Sequence, residues 1–178
     1  EAKPASFTVA EQIEIALGQA FFWYFLVHIF AKSFEGRTYL NDQGERAPFE
    51  FSAVHVEWTL LAQFYPRLCI MAPRAHLKTT VPALGFAFWM MFRASFGLVD
   101  GLYFSYKKAL ADEKIQELQR LIKANPYTRF WQDRKSTAET IINYLVDWGE
   151  GPVAEVMLKG EGIMSATLER PTMRLAVE

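Results

Sequence analysis

The spacing of apolar and polar positions predicts helices alternating with short strands. Ser6–Lys32 reads as helical, with Thr8 as N-cap and Glu11 three residues later, the spacing of a capping box. Phe34–Arg46 is polar and glycine-bearing and reads as a loop. Ser52–Phe64 is a second helix, ending ahead of Pro66. The apolar run Arg67–Met71 has the length of a buried strand, and Ala72–Thr79 is the loop after it. Thr80–Phe92 is an apolar helix whose Pro82 falls in the first turn, where a missing N–H is tolerated.

Leu98–Ser105 is the next predicted strand. Lys108–Ala124 is an amphipathic helix with Leu110, Ile115, Leu118, Leu121 and Ile122 on one face, stopping before Asn125-Pro126. Thr137–Trp148 and Val153–Leu158 read as strands around Gly149-Glu150-Gly151, a hairpin signal. Ile163–Leu168 is a further short strand, and Arg174–Glu178 opens a last buried one. The order strand–loop–helix–strand–helix predicts an α/β fold with a parallel sheet and helical crossovers, to which the hairpin is an antiparallel addition.

Composition narrows the class. The 178 residues suit one domain with a real core, and 51% apolar residues, 15 Phe and 5 Trp argue for packing rather than disorder. A formal net charge of −1 demands no nucleic-acid partner, yet leaves room for a local basic face. The single cysteine, Cys69, excludes an intrachain disulfide and a cysteine metal cluster; inside an apolar run it reads as an inert core thiol in a reducing compartment. With 3 His beside it, no protein-ligated metal site is expected. The apolar runs Ala20–Phe30 and Val81–Phe92 fall short of the roughly 20 residues of a membrane span. The N-terminus has no basic region followed by a cleavable apolar segment. The chain stops directly after the apolar run Leu175–Val177, so it is expected to be a piece of a longer protein.

The chemistry-bearing stretch is Met71–Thr80, MAPRAHLKTT. In the phosphate-binding pattern G-x-x-x-x-G-K-[ST], backbone N–H groups cradle the phosphates, the lysine reaches the β- and γ-phosphates and the hydroxyl ligates Mg²⁺. Lys78 and Thr79 hold the last two positions, while Ala72 and Leu77 stand where the pattern has glycine. Glycine is usual there because it allows unusual dihedrals and close approach to phosphate. A strand before the loop and a helix after it are the context the pattern requires. The other reading of the same residues is a Lys-Thr-Thr helix start with a solvated lysine.

The string Pro73-Arg74-Ala75-His76-Leu77-Lys78-Thr79-Thr80 resembles the variant Walker A loop of the large terminase subunits of tailed bacteriophages, which commonly runs Pro-Arg-Gly-His-x-Lys-Ser/Thr. Ala75 departs from the family's frequent glycine. Phe51–Leu61 resembles the family's upstream helix, Leu102–Lys107 its second strand and following turn, Asn125-Pro126-Tyr127 a recurrent turn, and Gly160-Glu161-Gly162-Ile163 with Arg170-Pro171 the approach to its Walker B strand. The resemblance covers roughly residues 50–178.

The resemblance implies an α/β P-loop NTPase of the additional-strand type, a mostly parallel sheet flanked by helices. Residues 1–48 would form an N-terminal helical segment or lid, and 49–178 the ATPase core, truncated at or near Walker B. The implied activity is ATP hydrolysis with Mg²⁺, coupled to translocation of double-stranded DNA into a prohead; the family's nuclease domain is absent from this chain. The implied partners are double-stranded DNA, a portal protein, a small terminase subunit and further copies in a ring, with no membrane. The implied location is the cytoplasm of the infected bacterial host, and transiently the prohead portal.

Pro73, Arg74, Ala75, His76, Leu77, Lys78, Thr79 and Thr80 would form the ATP site. Lys78 would contact the β,γ-phosphates and Thr79 would ligate Mg²⁺; Thr80 would substitute one position along or bond the α-phosphate. Arg74 is by resemblance a cis-acting sensor or finger, the alternative being a structural arginine bonded to a carboxylate. His76 would contact phosphate or water, or pack. Glu178 would be the first Walker B acid or would immediately precede it. A ring neighbour's arginine would come from the region of Arg120, Arg129 and Arg134. Lys107-Lys108, Lys114 and Arg120 would form a basic face or a solvated helix side. His28 reads as a satisfied core histidine, and His55 and Glu57 as base-bordering or solvated. Two rivals remain: a helicase-like DNA-dependent ATPase, and a non-hydrolysing assembly module with a degenerate loop.

Overall fold

The computed structural model describes residues 6–40, 45–48, 50–65, 67–73, 77, 79–93, 98–105, 107–133, 141–146 and 154–162. The chain divides into two units, Glu1–Arg93 with Leu121–Arg129, and Ala94–Arg120 with Phe130–Glu178.

In the first unit, helix α1 (Val9–Ala20) begins on the predicted capping box. Glu11 N donates to Thr8 Oγ1 at 3.2 Å, and Thr8 N donates to Glu11 Oε2 at 2.8 Å. The helix expected to run on to Lys32 is interrupted at Phe21, whose backbone is extended (φ −126°, ψ 119°). A break frees backbone groups that need partners. Gln63, on α3 (Ala53–Phe64), supplies them: its Oε1 accepts from Phe22 N at 2.9 Å and its Nε2 donates to Ala20 O at 3.2 Å. The chain then resumes as α2 (Phe22–Tyr24), a π-helical turn Phe25–Ile29 and a 3-10 turn Phe30–Phe34. The stretch read as a loop holds β1 (Thr38–Leu40), paired antiparallel with β2 (Arg46–Pro48).

After α3, a π-helical turn (Thr80–Gly85) leads into α4 (Phe86–Arg93). The core of this unit is aromatic. Phe22 stacks on Trp89 with centroids 4.8 Å apart, Phe25 meets Phe88 at 5.3 Å and Phe92 at 5.1 Å, and Phe30 stands edge-on to Phe88 at 5.8 Å. Each of these rings is fully buried or nearly so, and burial of one such side chain stabilises by about 2–3 kcal/mol. Helix α1 approaches this core closely because Gly18 has no side chain: a Cβ there would collide with Ile29, and Trp89 Nε1 donates to Gly18 O at 2.9 Å.

The second unit holds a four-stranded sheet in the order β3-β6-β5-β4, from β3 (Leu98–Ser105), β4 (Trp131–Asp133), β5 (Ile141–Val146) and β6 (Ala154–Gly162). Two antiparallel strands, β5 and β6, stand where the hairpin is predicted, with Tyr144 opposite Val156; its turn Gly149-Glu150-Gly151 lies outside the described residues. Burial alternates along β5 at Ile142, Tyr144 and Val146, and along β6 at Val156 and Leu158, the period-two pattern of a sheet with a packed face. Helix α5 (Lys108–Ala124), which belongs to this unit as far as Arg120 and to the first from Leu121, has the predicted bounds. It buries Ala111, Ile115, Leu118, Leu121 and Ile122, with Leu110 only half-buried.

Among the described residues, the mostly parallel sheet flanked by helices is not found. The sheet is small and mixed: β3 runs parallel to β6, while β5–β6 and β4–β5 are antiparallel, and helices hold more of the described chain than strands do. The additional-strand arrangement needs a parallel strand leading into the loop. Here 67–71 lies outside any strand, with Leu68 41% and Met71 91% exposed. Two prolines, Pro66 and Pro73, bracket this short run, and neither has an N–H to give to a ladder. Strand β3 pairs instead with β6. The expected strands Ile163–Leu168 and Arg174–Glu178 lie outside the described residues.

Candidate functional site: the segment Ala72–Thr80

Of the residues expected to form an ATP site, the structure describes Ala72, Pro73, Leu77, Thr79 and Thr80; Arg74, Ala75, His76, Lys78 and Glu178 lie outside the described residues. Pro73 is exposed, and Ala72, Leu77, Thr79 and Thr80 are half-buried. Leu77 has φ +52°, the one left-handed non-glycine backbone among the described residues. That conformation costs an L-residue about 1–2 kcal/mol.

Thr79 has right-handed helical dihedrals and caps the turn that begins at Thr80. Val81 N donates to Leu77 O at 2.9 Å, an α-type bond. Leu84 N donates to Thr79 O at 3.0 Å, and Phe86 N to Val81 O, both five residues back and so π-type. Pro82 sits inside this turn. Lacking an N–H, it cannot bond the carbonyl four residues earlier, and its ring would press on that carbonyl in a regular α-helix. Gly85 completes the fit: a Cβ there would lie 3.3 Å from Thr80 O and 3.4 Å from Phe30 Cε1. The sequence pattern predicts neither the left-handed residue nor the π-turn, although Pro82 and Gly85 are the available signals.

The remaining candidates are placed elsewhere. His55 is buried at the start of α3, where Nδ1 accepts from Ser52 N at 2.9 Å and lies 2.9 Å from Ser52 Oγ; Trp58 and Phe51 stand edge-on to its ring. A backbone N–H can only donate, so Nδ1 is the unprotonated nitrogen and His55 takes the part of the glutamate in a capping box. Glu57 is exposed. His28 is not a core histidine: it is exposed and stacks on Tyr24 with ring centroids 4.2 Å apart. Spacing inside an apolar run suggested burial, but the π-turn rotates the later residues about the helix. Cys69 is exposed, not a core thiol, because 67–71 forms no strand.

Arg129 is held within its own chain. Its Nη1 lies 2.8 Å from Glu11 Oε1 and its Nη2 3.0 Å from Glu11 Oε2, while the guanidinium lies 4.1 Å from the centre of the Phe7 ring. The bond to Arg129, with the N–H of Thr8, holds the Glu11 carboxyl at about 2, below the usual carboxylate range. Arg120 is exposed, and Arg134 lies outside the described residues. The lysines of α5 do not make an uncompensated basic face. Lys108 pairs with Asp112 at 3.2 Å, and Lys114 with Glu117 at 2.7 Å and Glu113 at 3.5 Å; the Glu117 bond raises the lysine's pKa.

A buried knot that the sequence showed only as a helix stop centres on Asn125. Its Nδ2 donates to Ile29 O at 2.7 Å and Ser33 Oγ at 2.8 Å, and its Oδ1 accepts from Tyr127 N at 3.0 Å. Tyr127 in turn donates its hydroxyl to Glu14. In the sheet unit, burial pushes the Tyr103 and Tyr144 phenols above their ordinary range.

Among the described residues no group of three or more His, Cys, Asp or Glu converges as a metal site, and no helix is long and apolar enough to cross a membrane. The chain matches no family model, and no curated protein or solved structure shows significant similarity to it.

Proposed function

We propose that Ala72–Thr80 is a phosphate-binding loop and that the chain is the ATP-binding part of a motor ATPase of the terminase kind. The observation that carries the reading is the backbone of Leu77. The standard loop keeps glycine just before its lysine, since glycine enters the left-handed region without steric cost. Leu77 occupies that place before Lys78 and adopts the left-handed conformation although it is not glycine. Strain of this kind persists where the surroundings enforce it, and it concentrates at ligand-binding turns.

The donor set suits Mg-ATP. Lys78 brings a compact positive charge, and Thr79 and Thr80 bring hydroxyl oxygens at a helix start. Mg²⁺ needs only one or two protein oxygens when phosphates and water complete its octahedron, so the lack of a carboxylate cluster among the described residues does not count against it. Arg74 would stabilise charge on the transferring phosphoryl group. In this reading hydrolysis drives double-stranded DNA into a prohead. The chain works in a homo-oligomeric ring with a portal protein and a small terminase subunit, in the cytoplasm of an infected bacterium. Arg129 is a poor choice for a finger offered to a neighbour, since Glu11 already holds it.

A second reading, a non-hydrolysing assembly module, is favoured by the exposed, unpaired course of 67–71 ahead of the loop. The test is calorimetric titration of wild type and Lys78→Ala with ATP and Mg²⁺, followed by phosphate release from the full-length protein. Binding by wild type and its loss in the variant support the loop; equal binding by both refutes it. Binding without turnover in the full-length protein favours the assembly module.

A further inference from the structure

We infer that the outward face of α1 is a self-association surface, on which two copies of the chain pair their α1 helices antiparallel about a two-fold axis at Ile13. The inference stands apart from the phosphate-loop reading: a two-fold contact is closed, unlike the head-to-tail contacts of a ring.

The polarity of α1 is inverted. A surface helix ordinarily buries its apolar stripe and turns its charges to water. Ile15 and Gly18 mark the inward side of α1, and both are buried. At about 100° per residue, Val9, Ala10, Ile13, Ala16, Leu17 and Ala20 fall on the opposite side. All six are exposed, Val9 by 73% and Ile13 by 56%. The charged residues of the helix are Glu11 and Glu14, and both are half-buried. Arg129 grips Glu11, and Tyr127 donates its hydroxyl to Glu14. The outward face is therefore apolar along its length and carries no charge.

The fold widens this face at one end. Gln63 bonds Ala20 O and Phe22 N, on either side of the exposed Phe21. Thr59, one turn before Gln63 on α3, is buried, while Phe64 beside it is 69% exposed. Phe21 and Phe64 thus flank the end of the α1 stripe. Single exposed apolar side chains are ordinary, but a continuous uncharged stretch marks an interaction surface.

The chemistry of the face selects its occupant. Nucleic acid needs cations, and a helix lying on an anionic membrane carries Lys or Arg along its polar side. Helix α1 has neither, and its flank is acidic. A second copy fits in detail. A two-fold contact sets residue i against j and j against i, so its surface must read alike in both directions. About Ile13 this one does: Val9 and Leu17 lie four residues to either side, and Ala10 and Ala16 three. In the antiparallel pair Ile13 meets its own copy, Val9 meets the partner's Leu17 and Ala10 meets the partner's Ala16. Large side chains alternate with small ones that admit them, and no charge repels the identical surface. A 12-residue helix offers an interface at the low end for specific complexes, so the dissociation constant should lie at about 1–100 µM.

Sedimentation velocity of the 178-residue chain, from about 1 to about 300 µM, tests the pairing across that range. The samples are wild type, Ile13→Glu, Ile13→Lys, an equimolar mixture of those two, and Val54→Glu. Val54 is exposed and lies half a turn round α3 from Gln63, away from the face. Ile13 points outward, so its variants should keep the wild-type melting midpoint by circular dichroism. Wild type is expected to form dimers as concentration rises. Each Ile13 variant should weaken association by at least about tenfold, since like charges then meet at the axis. The mixture should recover it, and Val54→Glu should match wild type. A wild type that stays monomeric throughout overturns the inference. Association that survives in Ile13→Glu, or that falls equally in Val54→Glu, places any contact elsewhere and overturns it too. Failure of the mixture to recover removes the axis at Ile13 and the inference with it.

Discussion

Arg129 closes a two-pronged grip on Glu11, with Nη1–Oε1 at 2.8 Å and Nη2–Oε2 at 3.0 Å, and so ties the first turn of α1 to the turn after α5. The residues are far apart in sequence, and nothing in either segment alone announces the pair. The grip sits at the surface, where ion pairs are worth little on average, but the planar two-point geometry and the Phe7 ring under the guanidinium favour it over an ordinary surface pair.

A pH dependence follows. In the folded chain the Glu11 carboxyl titrates at about 2, and in the unfolded chain near the ordinary value of about 4.3. The unfolded state therefore binds the proton first as pH falls. The stabilisation from Glu11 is complete above about 4.3 and is lost as pH drops through that value toward 2. Urea unfolding of wild type and Glu11→Gln should show a stability gap at pH 7 that closes toward pH 2. A gap of constant size would show that Glu11 is not held by Arg129.

Leu77 offers a second test. Glycine would relieve left-handed strain of about 1–2 kcal/mol, and the extra freedom of its unfolded chain would cost about 0.4–1 kcal/mol. Relief outweighs that cost, so Leu77→Gly should leave stability unchanged or slightly raised, and should keep any ATP binding. Leu77→Val, β-branched and worse suited to positive φ, should lose about 1 kcal/mol or more. Chemical denaturation of the two variants side by side reads the sign directly.

Asn125→Ala should be among the more damaging polar substitutions. It strips the partners from Ile29 O and Tyr127 N inside the first unit, and an unsatisfied buried group costs about 1–3 kcal/mol. Asn125→Asp keeps the acceptor for Tyr127 N but brings an oxygen against Ile29 O, so it should rescue little. Denaturant midpoints of the two variants measure both.

Cys69 lies on the exposed segment and should react with a thiol reagent such as DTNB in the native protein at a rate close to that of the urea-unfolded chain. Protection by more than about a hundredfold would mean that 67–71 is buried as a strand after all.

What the sequence determined by itself is local. The capping box at Thr8, the strand Leu98–Ser105, the helix Lys108–Ala124 and the antiparallel pair β5–β6 were legible because each is governed by neighbours along the chain: a cap three residues away, a repeat of 3.6 or 2, a glycine-rich spacer. The lysine and threonines of the candidate loop were legible for the same reason. Tertiary structure decided the rest. Whether Arg67–Met71 joined a sheet depended on a partner strand, and β3 took β6 instead. Where the first helix broke depended on Gln63, far along the chain, and where Arg129 and Asn125 found their partners depended on α1 and the turns after it. Leu77 and Pro82 stand between the two cases: their identities were plain in the sequence, but the backbone each adopts was set by the core anchoring the helix beyond them. Short-range spacing sets propensity, and only packing selects among the backbone conformations that propensity leaves open.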